Sequence, residues 1–211
     1  MPSEAGLFIA QTRRMHPAIC EFTSKTFYEG RLTGIPGLEH QAITGATEWS
    51  GSGIRITEVV HSGNSNASPE EAARVASIVT ELLTTRWRNQ ERNERPMTAD
   101  DILIVTPYNA QIREIEQALS RAGVSGVKVG TVDKFQGRQA PAVIYSMASS
   151  SADDAPRGLE FLFDLHRLNV ATSRAQALAI IVASPDLMRV FCGTPRQMVL
   201  ANALCRAWEA G

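Results

Sequence analysis

Three runs in this chain, residues 101–106 (DILIVT), 140–148 (APAVIYSMA) and 178–184 (LAIIVAS), are apolar through their centres without alternating. A strand with one wet face alternates polar and apolar residues. Continuous apolar runs of this length suit strands of a parallel sheet, buried on both faces. That requirement constrains the chain most, because a parallel sheet needs a long crossover between strands.

The segments between the runs carry helical stripes. Residues 17–28 place Ile19, Phe22, Thr23, Thr26 and Phe27 on one face behind Pro17. Ser68, Pro69 and Glu71 form a predicted capping box, followed by Ala72, Val75, Ala76, Val79, Leu82 and Leu83 as a stripe. Residues 89–96 read as a solvated charged turn. Residues 109–123 predict a helix with Ile112, Ile115 and Leu119 inward and Gly123 as its stop. A helix is expected over 166–175, a short one from Pro185, and a last one capped by Thr194 and running to about Trp208. Residues 53–60 and 127–132 add strands, and 30–53 reads as irregular. Strand and helix alternate along the chain. The expected fold is α/β, a three-layer sandwich with a mainly parallel sheet and helices on both faces, as one domain over 1–211.

Composition excludes several classes. The chain is 44% hydrophobic with a formal net charge of −1, so nucleic-acid affinity would need a local basic patch. Cys20, Cys192 and Cys205 lie far apart, and the four histidines show no ligand spacing, so neither a disulfide framework nor a metal site is expected. No signal peptide or membrane-length apolar run occurs, and a cytoplasmic location fits. The three lysines, Lys25, Lys128 and Lys134, follow Ser24, Val127 and Asp133. A phosphate loop needs glycine before its lysine, so this chain lacks its own Walker A. The Asp/Glu-x-Lys pattern of restriction-type nucleases is also absent.

Ligands of open α/β sheets collect at the carboxyl ends of strands. Four polar segments are expected near such ends: 106–111, 131–139, 146–151 and 166–175. Arg167 and Arg174 stand seven residues apart, on one helix face. They suit either a polyphosphate or pairing with acids such as Asp164. Arg13 and Arg14 precede a helix N-terminus, where anions are favoured; solvated arginines in a turn are the plainer alternative. His16 reads as a histidine bonded to that turn. Thr106, Tyr108, Asn109 and Gln111 suit sugar-phosphate contacts or simple helix capping.

Taken together the segments resemble superfamily 1 helicases, specifically their second RecA-like motor domain, a P-loop NTPase-type fold. RRMHPAICEFTSKTFYEGRL resembles motif IV (residues 11–32), ILIVTPYNAQ motif IVa (102–111), GTVDKFQGRQAPAVIYS motif V (130–146) and HRLNVATSRAQ motif VI (166–176). The wording of 137–161 further resembles a bacterial group fused to a RecB-like nuclease. The resemblance implies that Arg174 and Arg14 reach the γ-phosphate of ATP held by a partner motor domain, in arginine-finger fashion. It implies nucleotide contacts for Arg13, Gln136, Gly137, Gln139 and Arg167. Thr106, Tyr108, Gln111, Thr131 and Ser146 would line a single-stranded nucleic-acid track, DNA ahead of RNA. Gln136 and Gly137 would couple the two. Magnesium would be held by the N-terminal RecA-like domain of the same protein, and this chain alone would turn over no ATP. DNA repair is the expected setting, with no membrane partner. Three positions depart from the pattern: Arg13 replaces an aromatic, Gln139 a glutamate and Gln176 an arginine. A non-motor nucleic-acid-binding module of the same fold, a small-molecule enzyme, a protein-interaction domain and part of a helicase-nuclease are the alternatives.

Overall fold

The computed structural model describes residues 9–135 and 137–211. Its strands are β1 (Gln11–Thr12), β2 (Thr33–Gly34), β3 (Ala42–Thr44), β4 (Gly53–Glu58), β5 (Arg86–Arg88), β6 (Glu94–Pro96), β7 (Ile102–Val105), β8 (Lys128–Gly130), β9 (Ala140–Ser146) and β10 (Ala175–Ala183). Its helices are α1 (Pro17–Phe27), α2 (Pro69–Leu82), α3 (Asn109–Arg121), α4 (Leu159–Leu162), α5 (Leu165–Ser173) and α6 (Pro195–Ala210).

The main sheet runs β4-β10-β9-β7-β8, and every pair in it is parallel. Alternate side chains go to opposite faces, as the pleat dictates. Ile102, Ile104, Ala142, Ile144, Leu178, Ile180 and Val182 join a core with α2 and α3. Leu103, Val105, Val143, Tyr145, Ala179 and Ile181 join a second core with α1, α5 and α6. Helices therefore cover both faces, as the continuous apolar runs required. Truncating a residue such as Ile180 to alanine would cost about 2–5 kcal/mol.

Three expectations need correction. Residues 89–93 keep the exposed turn expected of them, but 94–96 continue as strand β6. They close a hairpin in which β5 pairs antiparallel with β3 and β6. Trp87 is buried while Arg86 is exposed, so a period-two pattern was hidden by flanking charge. Strand β10 begins three residues earlier than expected, directly after Arg174. The box at Ser68 is half closed: Glu71 N–H donates to Ser68 Oγ at 3.1 Å, but the Glu71 carboxylate turns elsewhere. The Ser68 N–H is taken instead by Gln111 Oε1 at 2.7 Å.

The topology gives the sheet two functional ends. A helix leading into a parallel strand must run back to the amino end, so α5 delivers Arg174 there. Thr106, Thr131 and Ser146 stand at the carboxyl end. Strand β8 closes at the carboxyl end with Gly130 and β9 starts at the amino end with Ala140, so the link between them passes from one end to the other. Seven residues of β9 separate the ends by about 20 Å at ~3.3 Å per residue. Among the described residues no helix is long and apolar enough to cross a membrane.

Candidate functional site

At the amino end, Arg14 sits half-buried between β1 and α1. Its Nε donates to Gln139 Oε1 at 2.7 Å and its Nη1 to the Ser173 carbonyl at 2.9 Å. Gln41 Nε2 donates to the Arg14 carbonyl at 3.0 Å, and the His16 N–H donates to the Gln176 carbonyl at 2.7 Å. These bonds pin the start of motif IV to motifs V and VI. Arg174 caps α5, and its Nε is buried without a hydrogen-bond partner. Burial, then the neighbouring Arg174, pull Arg14 below the ordinary arginine pKa. Burial pulls Arg174 down likewise, against the opposing influence of Tyr28.

The two arginines open into a cleft of about 810 Å³, also lined by Arg13, Tyr28, Gln139 and Asn169. No Asp or Glu lines it among the described residues. Asn169 Nδ2 donates to Tyr28 Oη at 3.0 Å, and its Oδ1 is buried without a partner. Three cations, no carboxylate among the described residues and an orphaned guanidinium N–H give this cleft a chemistry that favours an anion.

His16 is an ordinary N-cap: its Nδ1 accepts the Ala18 N–H at 3.1 Å while Nε2 faces Ser52 Oγ at 3.0 Å. The accepting nitrogen must be unprotonated, which sets the tautomer.

At the carboxyl end the polar residues turn inward. Gln111 Nε2 donates to Ser146 Oγ at 2.9 Å, and Ser146 Oγ donates to Glu71 Oε2 at 2.6 Å. Glu71 Oε2 also accepts the Ala148 N–H at 2.9 Å, and Oε1 lies 3.1 Å from His61 Nε2. His61 Nδ1 reaches Ser150 Oγ at 2.7 Å. Gln111, Ser146 and Glu71 are all fully buried. Ala148 holds a left-handed φ of 68°, a conformation this bond to Glu71 secures.

Beside that network, Thr106 Oγ1 is buried without a partner. The Tyr108 hydroxyl faces Ser149 without closing a well-shaped hydrogen bond. Burial pushes Tyr108 up, with Ser149, Arg157 and Arg167 pulling the other way. Its ring lies 5.5 Å from that of Phe161, and the guanidinium carbons of Arg157 and Arg167 each lie 3.9 Å from the Phe161 centroid.

The sequence-predicted residues thus separate. Arg13, Arg14, Gln139 and Arg174 converge on the amino-end cleft. Gly137 is exposed on the crossing segment with φ 82°, and Gln136 lies outside the described residues. Arg167 does not join Arg174. It stands over Phe161, 3.9 Å from Asp164, because a helix carries residues seven apart to places ~10 Å apart along its axis. The carboxyl-end expectation for 166–175 is corrected accordingly: one end of that helix serves each edge. Gln111 and Ser146, expected on a strand track, are sealed inside, since their polar atoms are already paired within the protein. Thr131 is half-buried and Tyr108 barely exposed. Glu71, His61, Tyr28, Asn169, Arg157 and Phe161 were not anticipated as site residues. The acid at the third position of α2, opposite a row of hydroxyls in 146–151, was the available clue to the buried network.

A family model described as an AAA domain matches residues 3–186. The chain belongs to this AAA-domain family of superfamily 1 helicases. The helicase domain is 31% identical over 201 residues to the mouse (Mus musculus) 3'-5' exoribonuclease HELZ2, covering 83% of this chain and 6% of that protein. It is 32% identical over 190 residues to the ATP-dependent helicase upf1 of Schizosaccharomyces pombe, covering 83% of this chain and 19% of that one. It is 28% identical over 188 residues to the DNA polymerase alpha-associated DNA helicase A of S. pombe, covering 83% and 27%. The helicase domain therefore spans well under a third of the length of each of these relatives.

Proposed function

We propose that this domain is the second motor half of an ATP-dependent translocase on single-stranded nucleic acid. The observation that carries the reading is the amino-end cleft. It holds three arginines and no carboxylate among the described residues, with an arginine Nε lacking a partner. A polyphosphate fits those groups: it would accept the orphaned N–H and offset the mutual repulsion of Arg14 and Arg174.

ATP with magnesium, bound chiefly on a first RecA-like domain, would supply the phosphoryl group and the driving energy. The residues here would do the rest. Arg14, held in place by Gln139 and the Ser173 carbonyl, and Arg174 would stabilise charge that develops on the transferred phosphoryl oxygens. Arg13 would stack on or pair with the nucleotide, its planar guanidinium replacing an aromatic ring. Residues 131–139, with Gln136 and Gly137 within them, would link nucleotide state to strand grip. Thr106, Tyr108 and Thr131 would border the strand. Gln111 and Ser146 would position that border from beneath rather than touch the strand.

The relatives' names divide between RNA and DNA, and the chemistry of the carboxyl end suits either backbone. A fluorescent ATP analogue titrated into the purified 211-residue chain tests the reading. Weak binding that Arg174→Ala reduces about tenfold, with no steady-state ATP turnover, is expected. Robust turnover by the chain alone, or binding untouched by both Arg14→Ala and Arg174→Ala, would overturn it.

A further inference from the structure

The carboxyl end holds an arrangement that the motif reading does not account for, since it places Arg167 away from the arginine cleft. Arg157 and Arg167 both lie against one phenyl ring, each guanidinium carbon 3.9 Å from the Phe161 centroid. Two cations thus share one phenyl ring. Asp164 approaches Arg167 at 3.9 Å, and no carboxylate lies within ion-pair distance of Arg157 among the described residues. Arg157 is exposed, while Phe161 packs against the core.

We propose that the Arg157–Phe161–Arg167 stack binds the phosphodiester backbone of a single nucleic-acid strand, with Arg157 making the direct contact. The inference rests on the motor-domain reading and adds to it a subsite that joins Arg167 of motif VI to Arg157 and Phe161, which lie outside the motifs. A guanidinium lying against a ring has its face occupied. Its in-plane N–H groups stay free for phosphate oxygens, and its rotamer is fixed before the ligand arrives. The excess of positive charge selects a polyanion.

A second observation points to the same place independently. The Tyr108 ring lies beside Phe161, and its hydroxyl is buried and faces Ser149 without a well-shaped hydrogen bond, while Thr106 Oγ1, two residues earlier, is buried without a partner. Buried hydroxyls are ordinarily satisfied, so these two, close in sequence, leave donor capacity that an outside group could use. Phosphate and sugar oxygens accept hydrogen bonds from such hydroxyls.

The test uses the purified 211-residue chain with fluorescent oligothymidylate and oligouridylate, followed by anisotropy across a range of salt. Arg157→Ala is expected to weaken binding about fivefold at low salt. It should also flatten the slope of log affinity against log salt by roughly 0.7, the value for one phosphate contact on a single strand. Arg157→Lys should keep the slope and lose part of the affinity, because charge stays and stacking goes. Phe161→Leu, with both charges retained, should weaken binding as well. Arg206→Ala, on α6, serves as the distant control and should change nothing. Unchanged affinity and slope in Arg157→Ala, in a chain that does bind strands, would overturn the subsite and leave the motor reading standing. A chain that binds neither strand even at the lowest salt would overturn both.

Discussion

Arg14 Nε donates to Gln139 Oε1 at 2.7 Å, so a neutral amide holds one of the cleft arginines in place. An amide orients the guanidinium without neutralising it. The full charge of Arg14, already raised in cost by burial and by Arg174, stays available to an incoming anion. Gln139→Glu would place a carboxylate on the same nitrogen and form an ion pair. Affinity for a fluorescent ATP analogue should then fall several-fold, on the order of 1 kcal/mol for a partly exposed pair. Tighter binding would mean instead that a carboxylate here serves the nucleotide directly.

Arg174 is expected to trade stability against function. Its Nε is buried and unpartnered, and like charge stands nearby. Arg174→Ala should leave urea stability unchanged or raise it by up to ~1 kcal/mol, while nucleotide affinity falls. A large loss of stability would show that the guanidinium is a structural strut.

The buried network separates support from contact. Glu71→Ala strips the acceptor from Ser146 Oγ, the Ala148 N–H and the His61 ring at once. A loss of roughly 3 kcal/mol or more in denaturant unfolding is expected from leaving several buried groups unpaired. Gln111→Leu should cost about 1–3 kcal/mol and leave the salt slope of strand binding unchanged. A flattened slope would return Gln111 to the strand.

His16 gives a pH signature. Burial lowers its pKa below the ordinary 6.5, with Glu39 pulling in the opposite direction. The unfolded chain therefore binds a proton more readily, so stability is present above about 6.5 and is lost as pH falls from there through the folded value. Protonation also removes the acceptor that caps α1. The melting temperature should fall on acidification through this window in the parent chain. His16→Asn, which can cap at any pH, should fall less. Parallel curves for the two proteins would exclude His16 as the source.

Much of the architecture could be read from residues alone, because a strand buried on both faces is apolar at every position and a helix over it carries a stripe. β7, β9, β10 and the helices α1, α2 and α3 followed from that. The β5–β6 hairpin did not, since Arg86 and Arg88 flank Trp87 and charge outweighed the alternation. The arginines of the amino-end cleft were recognisable from motif wording. Their separation from Thr106 and Tyr108 was not, because strand-end reasoning places every ligand group at one edge. Gln111 and Ser146 illustrate the remaining gap: a polar side chain beside a strand end looks the same in sequence whether it faces solvent or a buried glutamate.

The crossing segment 131–139 and the strands beside it bear on how such a domain can move. A parallel sheet sealed on both faces is close-packed and scarcely compressible. Its two ends, about 20 Å apart, cannot approach or part. Were a nucleotide to bind at the arginine cleft as proposed, its effect would reach the far end as a tilt of the entire body, in the manner of a spanner turning a nut. The stroke would be set by the length of β9 and the angle through which the domain swings, with the softness confined to whatever joint connects it to its neighbour.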